Sequence, residues 1–223
     1  MKQLFLFLAV LAFPLFLSTA RAGELDRYML SKGMVDVSRM DTTLQVELKY
    51  ATTDNLFGEA VYAGVTGAWL HPDAAKKLLK AQQLLKERYP AYSLVIYDAA
   101  RPMSVQRKMW NLVRGTSKTN YVSNPAKGGG LHNYGMAVDV TITDKSGRPL
   151  PMGSPFDYFG EEAHINNEEA LVQSGKITRE ELNNRLLLRR VMREAGFRTI
   201  LYEWWHFNAC SRETAKKNYI LIE

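Results

Sequence analysis

The sequence has little of what would define several other classes of protein. Cys210 is the only cysteine among 223 residues, which excludes an intrachain disulfide and a cluster of thiolate metal ligands. Its surroundings, "FNACSRE", contain no histidine, so a buried or unreactive thiol is favoured over a nucleophile. Lysine and arginine form no run of the kind that binds nucleic acid. The net charge of +6 supports only a weak attraction to anionic cell-wall polymers.

Long apolar runs are absent except at the N-terminus. "LFLFLAVLAFPLFL" follows Lys2 and is too short to remain as a bilayer-spanning helix. Ala20-Arg21-Ala22 then matches the small-x-small pattern of a signal peptidase site. We therefore predict a signal peptide at residues 1–22, a periplasmic or secreted protein, and no stable membrane insertion after cleavage; an uncleaved anchor is the alternative. Residues 23–223, with a net charge of +4, suit a single domain.

The hydrophobic periodicity predicts strands and helices that mix without a regular βαβ cycle. Strands are predicted at "LQVELKY" (44–50), "SLVIYD" (93–98), "GMAVDVTI" (135–142) and "FRTILYE" (197–203). Helices are predicted within 71–90, 104–115 and 178–196, the last with a capping box. The irregular run 151–175 is typical of a functional loop or lid. This pattern favours an α+β fold with a mainly antiparallel central sheet flanked by helices.

Two of the four histidines lie near carboxylates at the ends of predicted elements. In "HNYGMAVD", His132 precedes Asp139 by seven positions, and in "EWWHF", His206 follows Glu203 by three. Strand alternation turns Asp139 away from the flanking valines and towards a cleft. His132, Asp139 and His206 would bind one zinc ion with a fourth position open for water, and Glu203 would be the general base. Taken singly, each is better explained as a structural histidine or a surface carboxylate; together they favour a metal.

Two other charged residues are candidates with open alternatives. Arg101, in "IYDAARP", ends a predicted buried strand, where it could stabilise an oxyanion or pair with Asp98. Asp157, in "GSPFDYF", could bind a substrate ammonium or form a turn. The remaining histidines, His71 and His164, are interpreted as a helix-start residue and a loop residue without partners.

Six segments in order carry a resemblance that covers nearly all of the chain after residue 22: "KYATTDNLFG", "IYDAARP", "HNYGMAVDVTI", "LPMGSPFDYF", "RLLLRRVMREAGF" and "EWWHF". With them the chain resembles the D-alanyl-D-alanine dipeptidases, zinc peptidases of the vancomycin-resistance type within the D,D-carboxypeptidase group, which has a hedgehog-like fold. The resemblance implies zinc held by His132, Asp139 and His206. It also implies Glu203 as general base and acid, Arg101 as transition-state stabiliser and Asp157 as a contact of the substrate's amino end.

One position departs from the family pattern. The family usually carries a serine two positions before the first zinc histidine, placed to contact substrate, whereas this chain has Gly130. The predicted function is zinc-dependent hydrolysis of D-Ala-D-Ala in a small closed cleft capped by residues 151–175. Gly130 supports one alternative, a D,D- or L,D-peptidase that trims peptidoglycan stem peptides. Another alternative is a non-catalytic, zinc-stabilised module that binds cell wall, against which the presence of Glu203 argues.

Overall fold

The computed structural model describes residues 23–62 and 64–223. The signal peptide predicted at residues 1–22 lies outside the described residues and stays a prediction. In the described part of the chain, no helix combines the length and apolarity that crossing a membrane would require.

The described chain contains six α-helices and seven strands, which do not alternate regularly. The helices are α1 Glu24–Ser31, α2 Pro72–Arg88, α3 Met103–Val113, α4 Glu168–Gln173, α5 Arg179–Glu194 and α6 Arg212–Asn218. The strands are β1 Val35–Asp36, β2 Gln45–Val46, β3 Trp69–Leu70, β4 Ser93–Asp98, β5 Ala137–Thr143, β6 Arg198–Thr199 and β7 His206–Asn208.

A five-stranded sheet in the order β2-β4-β5-β7-β6 forms the centre of the fold. Only β2 runs parallel to its neighbour, β4, and the other pairings are antiparallel. Strands β1 and β3 form a separate antiparallel pair. The predicted α+β class with a mainly antiparallel sheet is therefore confirmed.

Local signals set the ends of helix α2. The His71 side chain caps the helix, because its Nδ1 accepts a hydrogen bond from the backbone N–H of Asp73 at 3.2 Å. Pro72 occupies the first turn, where no donor is lost, and the helix ends at Arg88, two residues before Pro90. The apolar stripe of α2 is buried against β4 and α5. His71 is thus the predicted helix-start residue, although it does have a partner.

Strands β4 and β5 are buried along their whole length. Helices α2 and α5 pack on this part of the sheet, which removes its apolar side chains from water. The register between the two strands shifts between Ile96 and Asp98, so that Asp98 pairs with Asp139. This irregularity brings two carboxylates to adjacent positions in the middle of the sheet.

The predicted edge strands are longer than the observed ones. β2 stops at Val46, and the chain turns into a 3₁₀ helix at Lys49–Ala51. The strand predicted at 197–203 stops at Thr199, because the carbonyl of Leu201 accepts a hydrogen bond from Ile165 N–H in the 151–175 segment at 2.9 Å. That segment also forms a 3₁₀ turn and helix α4. Helices α1 and α6 were not predicted at all.

Candidate metal centre and active site

The centre of the sheet brings together three predicted ligands from two chain segments. In the antiparallel pairing of β5 with β7, Asp139 stands directly opposite His206. His132 lies in the 3₁₀ turn Leu131–Tyr134 that leads into β5. Gly135 ends this turn at φ +63°, where an added Cβ would come within 2.8 Å of the backbone nitrogen of His71. Glycine is required at this position, because its backbone conformation is left-handed and the neighbouring atoms leave no room for a side chain.

The facing atoms of these three side chains form a nearly equilateral triangle. His132 Nε2 is 3.1 Å from His206 Nδ1 and 3.2 Å from Asp139 Oδ1, and His206 Nδ1 is 3.0 Å from the same oxygen. Tetrahedral zinc with bonds of ~2.0–2.1 Å requires its ligand atoms to be roughly 3.3 Å apart. Two imidazole nitrogens and one carboxylate oxygen are also ligands that zinc accepts. The residues therefore fit a metal ion of this size.

In each histidine ring, one nitrogen faces the triangle and the other faces away from it. The hydrogen bond made by the nitrogen that faces away decides which of the two carries the proton. His132 Nδ1 lies 2.7 Å from the carbonyl oxygen of Ala99, which can only accept, so Nδ1 carries the proton and Nε2 presents a lone pair. His206 Nε2 lies 2.9 Å from Asn208 Oδ1 and donates to it, which leaves the lone pair on Nδ1. Two lone pairs and a carboxylate oxygen thus converge, and a bound cation would offset their mutual repulsion.

Glu203 lies beside this triangle rather than in it. Its Oε2 is 3.8 Å from His206 Nδ1, and its side chain is 14% exposed. Burial, with added repulsion from Asp139 and Asp157, raises the pKa of Glu203 to about 8. A carboxylate whose pKa is near neutrality can both accept and return a proton.

Arg101 forms the ion pair with Asp98 that was one of its two predicted roles, and the stabilisation of an oxyanion stays a prediction. Its Nε and Nη2 donate to Asp98 Oδ2 at 2.9 and 2.5 Å, and Nη2 is 3.8 Å from Asp139 Oδ2. The guanidinium also stacks over the ring of Tyr50, with its Cζ 5.1 Å from the ring centroid. Burial opposes the charge of Arg101, but Asp98 and the other partners raise its pKa well above the usual value. The ion pair with Asp98 therefore holds a permanent cation at the wall of the cleft.

Asp157 is held by two hydrogen-bond donors. It accepts from the Tyr50 hydroxyl at 2.8 and 3.0 Å and from the backbone N–H of Leu56 at 3.0 Å. Its φ of +58° belongs to the left-handed region that aspartate tolerates in turns. Burial raises the pKa of Asp157 to about 7 despite the hydrogen bond from Tyr50. The residue is both a turn former and a polar group facing the cleft.

All six predicted site residues line one cleft of about 700 Å³: His132, Asp139, His206, Glu203, Arg101 and Asp157. The 151–175 segment contributes Asp157, Tyr158 and Phe159 to its wall. This volume is typical of sites for drug-sized ligands and exceeds the small closed cleft predicted for a dipeptide. The segment lines one side of the cleft without enclosing it.

Several other side chains of the site could not be assigned from the sequence. Tyr50 was recognisable only as part of a segment that matches the family. No sequence pattern indicated Asn208, because its role depends on its position two residues after His206 in β7. His164, interpreted as lacking a partner, has its Nε2 2.7 Å from the Tyr121 hydroxyl. Cys210 lines the cleft and is partly buried, and burial raises the pKa of its thiol, in keeping with an unreactive cysteine.

A His-Asp-His triangle beside an acid of raised pKa and a fixed arginine is the arrangement expected of a metal-dependent hydrolase. Comparison with known proteins specifies the family. The family model described as D-ala-D-ala dipeptidase matches residues 30–221. The D-alanyl-D-alanine dipeptidase of Escherichia coli K12 is 34% identical over 174 residues, which cover 78% of this chain and 83% of that protein.

Two enterococcal proteins of the same name are also similar. The Enterococcus faecium protein is 29% identical over 72% of this chain and 83% of its own length. The Enterococcus faecalis protein is 25% identical over 80% of this chain and 92% of its own length. The chain belongs to the D-ala-D-ala dipeptidase family and is an enzyme of the metallopeptidase class.

Proposed function

We propose that the protein is a zinc-dependent D-alanyl-D-alanine dipeptidase, with zinc held by His132, Asp139 and His206. The observation that carries this proposal is the triangle of converging ligand atoms, about 3 Å on each side, in a chain of this family. Bound there, zinc would polarise the peptide carbonyl and lower the pKa of water to near ~7.

Glu203 is the proton carrier in this proposal. It lies next to the ligand triangle without being one of its corners, so its carboxylate is free to take a proton from the attacking water. A bound cation would favour the ionised carboxylate that accepts this proton, and the burial of Glu203 would favour holding it until it passes to the leaving amine.

Arg101 and Asp157 would bind the two charged regions of the reacting dipeptide. The guanidinium is fixed by Asp98 and points into the cleft near Asp139, where it can oppose negative charge that develops on the carbonyl oxygen. Asp157, oriented by Tyr50, offers a carboxylate for the substrate's ammonium group. The reactive peptide bond would then lie between the two, above the metal ligands.

Incubation of the zinc-loaded protein with D-Ala-D-Ala tests this proposal. Release of free D-alanine that stops on addition of a chelator and returns with zinc is the expected result. L-Ala-L-Ala serves as a stereochemical control. Unchanged D-Ala-D-Ala in the presence of stoichiometric zinc would refute the proposal.

We also propose that the protein acts outside the cytoplasm, in the periplasm or after secretion. The support is the sequence of residues 1–22, with Lys2, an apolar run and Ala20-Arg21-Ala22. N-terminal sequencing of the protein from a periplasmic fraction should begin at Gly23. A protein retained in the cytoplasm with Met1 in place would contradict this.

A further inference from the structure

One wall of the cleft is basic and lies away from the predicted ligands. It is formed by Lys127, Arg198 and Arg212, which come from three separate segments and all line the same cavity as His206. We call these three residues the cationic wall. The acidic residues that line the cavity are Asp139, Asp157 and Glu203, all at the reaction centre. The cleft is therefore negative at its centre and positive along this wall.

The sheet register relates the cationic wall to the metal centre. Arg198 of β6 stands opposite Asn208 of β7, and Asn208 shares a sheet face with His206 because the two are two residues apart in one strand. Arg198 therefore projects from the same face of the sheet as the metal ligands. From strand spacing, the Cα atoms of Arg198 and His206 are roughly 8 Å apart. That distance corresponds to about two residues of extended peptide.

The three cations are not neutralised by the protein. Among residues 23–62 and 64–223, none of them forms an ion pair with a carboxylate. Arg212 donates to the carbonyl oxygens of Gly129 and Lys127 at 2.6 and 3.4 Å, which ties it to the segment that carries Lys127. A guanidinium bound in this way keeps its full charge and has further donors for a ligand.

Gly130 contributes no side chain to the lining of the cleft. A Cβ added at residue 130 would come within 3.0 Å of the Ser123 hydroxyl, and both residues line the cleft. A larger side chain at Gly130 would therefore project into space that is part of the cavity. In the described structure the Ser123 hydroxyl has no hydrogen-bond partner within the protein, so it is available to a ligand as well.

We propose that the cationic wall is a binding subsite for a carboxylate on the leaving-group side of the substrate. This rests on the proposed function, in which Asp157 holds the amino end and so directs the remainder of the peptide away from itself. Simple D-Ala-D-Ala does not fill a cleft of 700 Å³. The substrate class is thus extended to peptides with an additional or more distant carboxylate, either on an acidic second residue or at the end of a third residue.

Equilibrium binding to the zinc-loaded Glu203→Gln protein tests the subsite without turnover. The ligands are D-Ala-D-Glu, its neutral isostere D-Ala-D-Gln, D-Ala-D-Ala and D-Ala-D-Ala-D-Ala, each measured by calorimetry. D-Ala-D-Glu should bind about threefold to fivefold more tightly than D-Ala-D-Gln, which is the contribution of one partly exposed ion pair. Adding Arg198→Gln should remove this preference. Arg193→Gln, on the exposed side of α5, makes the same change in net charge and should leave it intact.

The ligand series separates the two sources of the carboxylate. If the tripeptide binds more tightly than D-Ala-D-Ala and Arg198→Gln abolishes the difference, the subsite binds a terminal carboxylate. If the preference is limited to D-Ala-D-Glu, the subsite binds a side-chain carboxylate. The inference would be overturned if D-Ala-D-Glu and D-Ala-D-Gln bind with equal affinity and Arg198→Gln leaves the affinity for the tripeptide unchanged. Turnover of D-Ala-D-Ala by the unmodified enzyme is measured separately, and its absence would refute the proposed function and not the subsite.

Discussion

Asn208 is expected to control metal affinity, although it is not a ligand. Its Oδ1 accepts the Nε2 proton of His206 at 2.9 Å and so keeps the lone pair of that ring on Nδ1, which faces Asp139 and His132. In Asn208→Ala this acceptor is lost, and the ring can rotate or change tautomer. Loss of such an outer hydrogen bond typically weakens metal binding about 10–100-fold, or ~1.4–2.8 kcal/mol. We expect a loss of this size for zinc.

Competition with a chromogenic chelator measures the zinc dissociation constant directly and does not depend on catalysis. Asn208→Asp retains an acceptor and should recover most of the affinity. Asn120→Ala provides a matched control, because Asn120 lines the same cleft without contacting either histidine. Urea unfolding of the metal-free variants separates an effect on the metal site from a loss of fold. Affinity in Asn208→Ala equal to that of the unmodified protein would refute the reasoning.

Three further predictions concern the other charged groups. Glu203→Gln should lower kcat for D-Ala-D-Ala by about 10²–10⁴-fold while one zinc per chain is retained by elemental analysis; unchanged kcat would exclude Glu203 as the proton carrier. Arg101→Leu should lower the free energy of unfolding by about 3–5 kcal/mol in urea, because it leaves the fully buried Asp98 without its cation, and a second change, Asp98→Asn, should restore part of it. The pKa of Asp157 is raised to about 7, so its carboxyl loses its negative charge as the pH falls below 7. KM for D-Ala-D-Ala should therefore rise over this pH range, and the rise should be missing in Asp157→Asn.

The sequence predicted the centre of the fold better than its edges. Helix α2 was predictable because its cap, its apolar stripe and its terminating proline all indicate the same boundaries. Asp139 and His206 could be proposed as neighbours, but their direct pairing depends on the register of β5 with β7. Edge strand β6 was overestimated because the chain after Thr199 pairs with a loop that is distant in sequence. Contacts of this kind follow from tertiary packing, and no local pattern encodes them.

The charges of the site are complementary to a metal ion together with an ammonium group. Asp98, Asp139, Asp157 and Glu203 provide four carboxylates around one guanidinium, that of Arg101. With all of them ionised, the protein alone would carry an excess of three negative charges in a region largely shielded from water. A divalent cation at the histidines and the ammonium of a dipeptide at Asp157 would supply three positive charges. Burial raises the pKa values of Asp157 and Glu203 to about 7 and 8, and the neighbouring carboxylates add to this rise, so that cations bound nearby would favour loss of their protons. Zinc and substrate binding should therefore release protons, and their number should fall when Asp157 is replaced by asparagine.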